Sequence, residues 1–439
     1  MSMIGNKFVR RQLDTIVSKE IIKPSSPTPS HLKTYNLSLF DQISMDTYIP
    51  IVLFYPNTPT SSSHDLTLDL KKSLSQTLTK YYPFAGRLAK IAPTYVDCND
   101  EGAEFVEATF DSTLTDFLQN SQHEDFHQCF PYNLVWSTSN RHQSDEVIIP
   151  LAVQVNHFEC GGVAVAVSLS HKIADGSSFI QFLNDWGKIT RHGEFPVDPK
   201  FLYLPNININ FDGLTLQTSD DCVTRSFIFP NSKINDLKLK VQAMTAESGQ
   251  PIINPTRVEV LSWLLYKSAI AAATTNNSGI SIPTGINHAV NIRDKMMETL
   301  PRNSIGNRYM VLKMFTNNQS EMKPEAFISD FKQKKREFQD LKNIGAALEL
   351  VSTSLNDLQE VQRIIDTAYF CTSICRYPLY DVDFGWGKPL KATIAGNMMT
   401  DSFILMDTPN QDGIEALVCI QNQDMAIIQT DPELLAFCG

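Results

Sequence analysis

The sequence predicts an α/β protein of two domains, and three observations carry that reading. Residues 151–158 and 163–169 are two strand-like runs around a Cys160-Gly161-Gly162 turn, the second β-branched at alternate positions. Apolar residues recur at helical spacing at Leu70, Leu74 and Leu78, and again at Phe179, Phe182, Leu183 and Trp186. Residues 193–221 contain Pro196, Pro199 and Pro205 and little periodicity. So long an irregular stretch is uncommon inside one compact domain and reads as a crossover between two. A length of 439 residues agrees, two domains being the simplest division.

The elements follow in order. Residues 21–31 are proline-rich and extended, because each Pro biases its predecessor away from helix. Residues 66–82 form an amphipathic helix, stopped by Pro83 and Gly86. Residues 95–108 are two short strands around an Asn-Asp-Glu-Gly turn. The 151–170 hairpin ends at His171, a short loop runs to Gly176, and Ser177 is the expected N-cap of the next helix. Helices are expected at 232–248 and 255–273, the second with Pro255 and Glu259 in its first turn. A charged helix at 325–342 carries Lys332, Lys334, Lys335 and Arg336, read as a solvated face, with a functional basic patch as the alternative. The expected division is an N-terminal domain at 1–195, a linker at 196–221 and a C-terminal domain at 222–439.

Composition removes several function classes. With 42% hydrophobic and 19% charged residues the chain has a core to bury and is not disordered. A net charge of −11 argues against a nucleic-acid partner, while leaving room for a local basic pocket. Eight cysteines are scattered without a CxxC, so zinc-ribbon and thioredoxin signatures are missing. The most apolar stretch, 147–169, is broken by Gln154, Asn156, His157 and Glu159, and no membrane span is expected. The N-terminus has no uninterrupted apolar run. The expectation is a cytoplasmic chain with reduced thiols.

Two motifs can carry chemistry. His171 and Asp175 are spaced i, i+4 where a buried strand runs into a Gly-containing loop, the kind of place where a scaffold presents a reactive side chain. An imidazole titrating near neutrality suits a general base. A structural histidine is the alternative. Metal ligation would need further ligands, and no second cluster has ligand spacing, so no metal is expected. The second motif is Asp383-Phe384-Gly385-Trp386-Gly387, where two glycines permit unusual backbone angles around an indole N–H able to face a developing oxyanion. A tight turn with a packed Trp is the alternative. Kinase, P-loop and G-x-S-x-G signatures are missing. Cys160 and Cys371 have apolar neighbours and are expected to be buried thiols.

HKIADG at 171–176 and DFGWG at 383–387 together resemble the plant BAHD acyl-CoA-dependent acyltransferases, closest to the branch that acetylates alkaloids. LFDQ (39–42), YYPFAGRL (81–88), PTRVEV (255–260), AVNIR (289–293) and SIGN (304–307) extend the resemblance in order along essentially the whole chain. It implies two similarly sized chloramphenicol-acetyltransferase-like domains with a solvent channel between them, in a monomer. His171 would be the general base, and Asp175 would pair with Arg293 and hold the loop. Asp383 would tie down its turn, with Gly385 and Gly387 as support, and Trp386 would lie near the thioester. Gly176, Thr256 and Arg257 would serve coenzyme A. Ile374 stands where the family commonly has Trp, and Lys391, Thr393 and Asn397 depart from an expected apolar run near the acceptor side.

The implied reaction moves an acyl group from acetyl-CoA, as a cosubstrate, to the hydroxyl of an indole-type alkaloid. No cofactor is permanently bound and no covalent enzyme intermediate forms. Alternatives are malonyl-CoA as donor, N-acylation, the reverse esterase chemistry, and a catalytically silent protein that binds acyl-CoA or alkaloid.

Overall fold

The computed structural model describes residues 13–57, 63–89, 93–131, 134, 147–193, 198–204, 221–280, 284–295, 300–316, 322–341, 343–355, 367–396 and 400–439. The first half supplies strands β1 (Leu13–Ile22), β2 (Tyr48–Tyr55), β3 (Ala103–Phe110), β4 (Leu151–Phe158) and β5 (Val163–Ser170). Among its helices are α1 (Leu39–Ile43), α2 (Ser63–Lys80) and α3 (Gly176–His192). The second half supplies β6 (Cys222–Pro230), β7 (Thr284–Asn291), β8 (Tyr309–Thr316), β9 (Ala368–Ser373), β10 (Lys391–Ile394), β11 (Ser402–Asp407) and β12 (Gly413–Gln421). Its long helices are α4 (Asn231–Glu247), α5 (Arg257–Asn276) and α6 (Pro324–Gln339).

Two mixed six-stranded sheets organise these elements. The first has the order β1-β3-β4-β5-β2-β10 and the second β6-β12-β11-β9-β7-β8. One apolar core joins one face of the first sheet to α2 and α3, through Leu70, Leu74, Leu78, Phe179, Phe182, Leu183 and Trp186. Another joins the second sheet to α4, α5 and α6, through Leu237, Val241, Trp263, Leu264, Phe327 and Phe331. Among the described residues no helix is long and apolar enough to cross a membrane.

The expected hairpin at 151–170 is present, with Leu151 opposite Leu169 and His157 opposite Val163. The N-cap of the following helix is Asp175, not Ser177: its carboxylate accepts from Ser178 N at 2.9 Å and the helix begins at Gly176. A carboxylate is the better cap here because it also neutralises a buried cation described below. Pro255 likewise lies outside its helix, whose N-cap is Thr256 in a capping box with Glu259.

Residues 374–395, expected in the C-terminal domain, pack with the first half. Strand β10 belongs by sequence to the second half yet pairs antiparallel with β2 of the first sheet, Ile394 opposite Ile51 and Lys391 opposite Phe54. Ile374, Leu379, Tyr380, Val382, Phe384, Ala392 and Ile394 all join the first core. The physical reason is that β2 is buried along its whole length, so its outer edge needs a hydrogen-bonding partner that water cannot supply. Of the expected linker, residues 205–220 lie outside the described residues. Lys200–Phe201 pairs with Ser304–Ile305, and the Phe201 ring packs on Tyr35, Tyr81, Tyr82 and Phe84.

The 383–387 turn is docked onto α3. Asp383 Oδ1 accepts from Gly385 N at 2.7 Å and Gly387 N at 2.9 Å, and Oδ2 accepts from Arg191 Nη1 at 2.9 Å. Phe384 lies edge-on to Trp186 at 4.9 Å between centroids, and Trp386 edge-on to Tyr55 at 5.3 Å. Gly187 on α3 makes this fit possible, since a Cβ there would stand 2.7 Å from the Asp383 carbonyl oxygen. Backbone cannot yield as a flexible side chain can. Gly187→Ala is therefore expected to destabilise the fold by about 1–3 kcal/mol, as overpacking does, read as a lower urea midpoint.

Candidate active site

The site assembles where the loop after β5 meets the loop before β8. His171 follows the last residue of β5, and its N–H donates to Thr47 O at 2.8 Å, so its backbone is fixed beside the start of β2. Its side chain is largely buried, at 9% exposure. From the second half, Asn307 reaches across to it, while Gly306 and Arg308 meet Ser178 and Asp175 beside it. Gly306 has φ of 118°, and a Cβ there would meet the Arg308 guanidinium at 2.6 Å, so glycine is required at this crossing.

One amide fixes the chemistry of His171. Asn307 Nδ2 donates to His171 O at 2.7 Å and to Asp41 Oδ1 at 3.1 Å. Both partners only accept, so the amide orientation is set and Asn307 Oδ1 faces His171 Nδ1 at 3.0 Å. Nδ1 must then carry the proton, leaving the Nε2 lone pair free to take one. Burial pushes the imidazole below its ordinary value of 6.5, so it is neutral at neutral pH. The Tyr309 ring packs edge-on against it at 6.0 Å.

Two buried ion pairs surround this dyad. Arg293 donates to Asp175 through Nη1 at 2.7 Å and Nη2 at 3.1 Å, and also to Ser178 Oγ, Ser304 O and Gly306 O. Asp175 further accepts from the N–H groups of Ser178 and Arg308. Burial by itself would raise this carboxyl, but the Arg293 guanidinium overrides it and holds it below 3.8. The second pair is fully buried: Arg308 lies 3.4 Å from Asp41 Oδ2, and Asp41 also accepts from Asn307 N at 2.7 Å. Lys172, next to His171, donates to the carbonyls of Gln42 at 2.8 Å and Ser44 at 2.6 Å. Every cation in this network is thus engaged.

The remaining expected residues lie elsewhere. Tyr48 is opposite Ser170 and Tyr55 opposite Val163, so the two ends of β2 are roughly 23 Å apart at about 3.3 Å per residue. His171 sits at the first end, and the turn holding Asp383 and Trp386 packs at the second. The structure does not bring Asp383, Gly385, Trp386 or Gly387 to His171. Trp386 packs its ring against Tyr55 and Phe384. Gly176 opens α3, where a Cβ would meet Ile374 at 3.4 Å. Cys371 is buried, but Cys160 is exposed, correcting the expectation of a buried thiol; its turn projects beyond the sheet. Lys391 lies over the Phe126 ring, Thr393 is buried in β10, and Asn397 falls outside the described residues.

Thr256 and Arg257 line a second feature, a cavity of about 240 Å³. It is walled by the N-terminus of α5, by β7, by α6 and by the chain just after β9, including His288, Lys335, Ser373 and Arg376. Arg257 is held by Asp407 and Asn231, both at 3.1 Å. Lys335 and Arg376 make no side-chain ion pair among the described residues. Two uncompensated cations beside a helix N-terminus fit a phosphate-bearing ligand.

Sequence reasoning assigned no role to Asn307 and Asp41, although both lie in short motifs, SIGN and LFDQ, that it singled out. The signal was available only as that resemblance, since they stand 266 residues apart in sequence.

Asp175→Ala would leave Arg293 buried without a counter-charge. Its expected cost is about 3–5 kcal/mol, and the double variant with Arg293→Ala should recover part of the loss in a thermodynamic cycle by urea unfolding. Asn307→Leu removes the acceptor that holds the His171 tautomer and is expected to lower kcat about 10²-fold. With His171 as the general base that the resemblance implies, the acid limb of kcat should fall below pH 6.5, because only the neutral imidazole accepts a proton and burial depresses its proton affinity. Unfolding restores the ordinary affinity, so stability too should drop as pH falls below 6.5. A kcat profile with its acid limb above pH 7 would contradict both.

A family model described as the Transferase family matches residues 14–435. Akuammiline synthase 1 of Alstonia scholaris is 38% identical over 96% of this chain and 97% of its own length. A 17,18-epoxy-17-hydroxycur-19-ene N-malonyltransferase of Strychnos nux-vomica is 36% identical over 97% of this chain and 90% of its own. Deacetylvindoline O-acetyltransferase of Catharanthus roseus is 34% identical over 96% and 97%. The crystal structure of vinorine synthase superposes with a TM-score of 0.82 at 32% identity, covering 97% of this chain and 98% of that one. With a family match from end to end and relatives of this identity and coverage, the chain belongs to the Transferase (BAHD) family of acyltransferases.

Proposed function

We propose that this chain transfers an acetyl group from acetyl-CoA to a hydroxyl of a plant indole-type alkaloid, with His171 as general base in a direct ternary complex. As a BAHD acyltransferase it uses acyl-CoA, and its relatives include enzymes named for alkaloid acylation. The observation that carries the mechanism is the Asn307 clamp, which leaves His171 Nε2 as a neutral acceptor. That lone pair takes the hydroxyl proton as the oxygen attacks the thioester carbonyl. The C–O bond forms, the C–S bond breaks, and the proton leaves on the thiol of CoA. Asp175 moves no proton in this scheme, being committed to Arg293, Ser178 and Arg308. Thr256, Arg257, Lys335 and Arg376 hold the donor's phosphates at the cavity described above.

The engaged cations favour a neutral acyl group. A malonyl carboxylate beside His171 would need a free positive charge, while Arg293 and Arg308 are each paired with a carboxylate and Lys172 donates to two carbonyls. The N-malonyltransferase relative keeps malonyl-CoA in the test all the same.

Thiol release by purified protein should be faster with acetyl-CoA than with malonyl-CoA across a panel of alkaloid alcohols. His171→Ala should lower kcat by at least about 10²-fold with an unchanged circular-dichroism spectrum. Full activity in that variant would remove the base assignment. Binding of acyl-CoA with no turnover on any acceptor would favour the silent binding protein.

A further inference from the structure

His288 lines the cationic cavity but plays no part in the chemistry at His171. It sits on β7, 3% exposed, with its ring edge-on to Phe331 of α6 at 4.9 Å between centroids. Nδ1 lies 3.1 Å from the carbonyl oxygen of Ala289, which can only accept, so Nδ1 carries the proton. Nε2 is then a bare acceptor, buried with no hydrogen-bond partner among the described residues. Burial, with the nearby Lys335 charge adding to it, pushes the imidazole down to about 4, so protonation does not relieve the orphan lone pair at neutral pH.

A buried acceptor left unmatched costs about 1–3 kcal/mol. A phosphate oxygen cannot match it, because ionised phosphate is itself an acceptor. The missing partner is an N–H or O–H donor. The other walls of the cavity ask for an anion, so the ligand must carry both. Coenzyme A does: phosphates at one end, amide N–H and hydroxyl groups along its pantetheine arm, and an amino group on its adenine. Lys335 stands one helical turn beyond Phe331, makes no ion pair among the described residues, and is a long side chain that can swing aside to open the wall.

Resting on the acyl-CoA reading of this cavity, we propose that Nε2 of His288 accepts a hydrogen bond from an N–H or O–H donor of bound coenzyme A and is a recognition residue for it. The test is the Kd of free CoA for the wild type, His288→Phe and His288→Gln by titration calorimetry. Pantetheine and adenosine 3′,5′-bisphosphate are titrated in parallel. His288→Phe keeps the ring against Phe331 and should weaken CoA about 10-fold, with part of the loss recovered by the Gln carbonyl. The fragment whose affinity falls with it locates the donor on the arm or on the base. In ¹⁵N spectra of the wild type, the Nε2 signal missing from His288→Phe should shift on adding CoA. An unchanged Kd in the folded variant, equal losses for both fragments, or an Nε2 signal that CoA does not move would each overturn the proposal. If His288→Phe fails to fold, the signal is assigned by its absence from His288→Gln and the spectra decide. A wild type that binds no CoA would overturn the donor reading along with it.

Discussion

The buried pairing of Asp175 with Arg293 is the constraint on which the rest of the site depends. Neither charge has access to bulk water, at 8% and 2% side-chain exposure, so each would be costly alone. Their hydrogen bonds run to Ser178 on one half of the molecule and to Ser304, Gly306 and Arg308 on the other. Such a pair adds little net stability over apolar packing, but it tolerates only one alignment of its partners. It fixes where the 304–308 loop lies against the end of β5.

With that loop fixed, the basicity of His171 follows. Asn307 is placed between two acceptors, which orients its amide and sets the imidazole tautomer. Asp41, the carboxylate behind it, is itself held by the fully buried Arg308. The order Asp41, Asn307, His171 does by relay what a direct carboxylate contact would do: it holds one ring nitrogen protonated and leaves the other as an acceptor. The amide is neutral, so His171 gains no neighbouring charge from it, and burial keeps the imidazole's proton affinity low.

The same economy explains the other motif. The 383–387 turn returns a stretch of the second half to the first, where β10 covers the open edge of β2. Its aromatic residues and its carboxylate are all used in docking, against Trp186, Tyr55 and Arg191. Both motifs thus join the two halves, one through buried charge and the other through strand pairing and rings. The cavity at the start of α5 is a separate feature, where Lys335, Arg376 and the Nε2 of His288 have no side-chain partner among the described residues.

The sequence by itself determined what depends on neighbours in the chain. The 151–170 hairpin, the helices at 63–80, 231–247 and 257–276, and the exposure of His171 to a loop all follow from alternation, spacing and turn residues. The family was legible in HKIADG and DFGWG. What only the tertiary structure decided are the contacts between distant residues: the transfer of β10 to the first sheet, the Asn307–Asp41 relay, and the separation of Trp386 from His171 by the length of β2. Local periodicity reports which face of an element is apolar. It carries no information about which remote edge or charge that face will meet, because that choice is made by burial and hydrogen-bond satisfaction over the whole chain. Ser177 and Asp175 show the boundary at its smallest. Both are good N-caps by residue type, and the buried Arg293, far along the chain, is what makes the aspartate the one used.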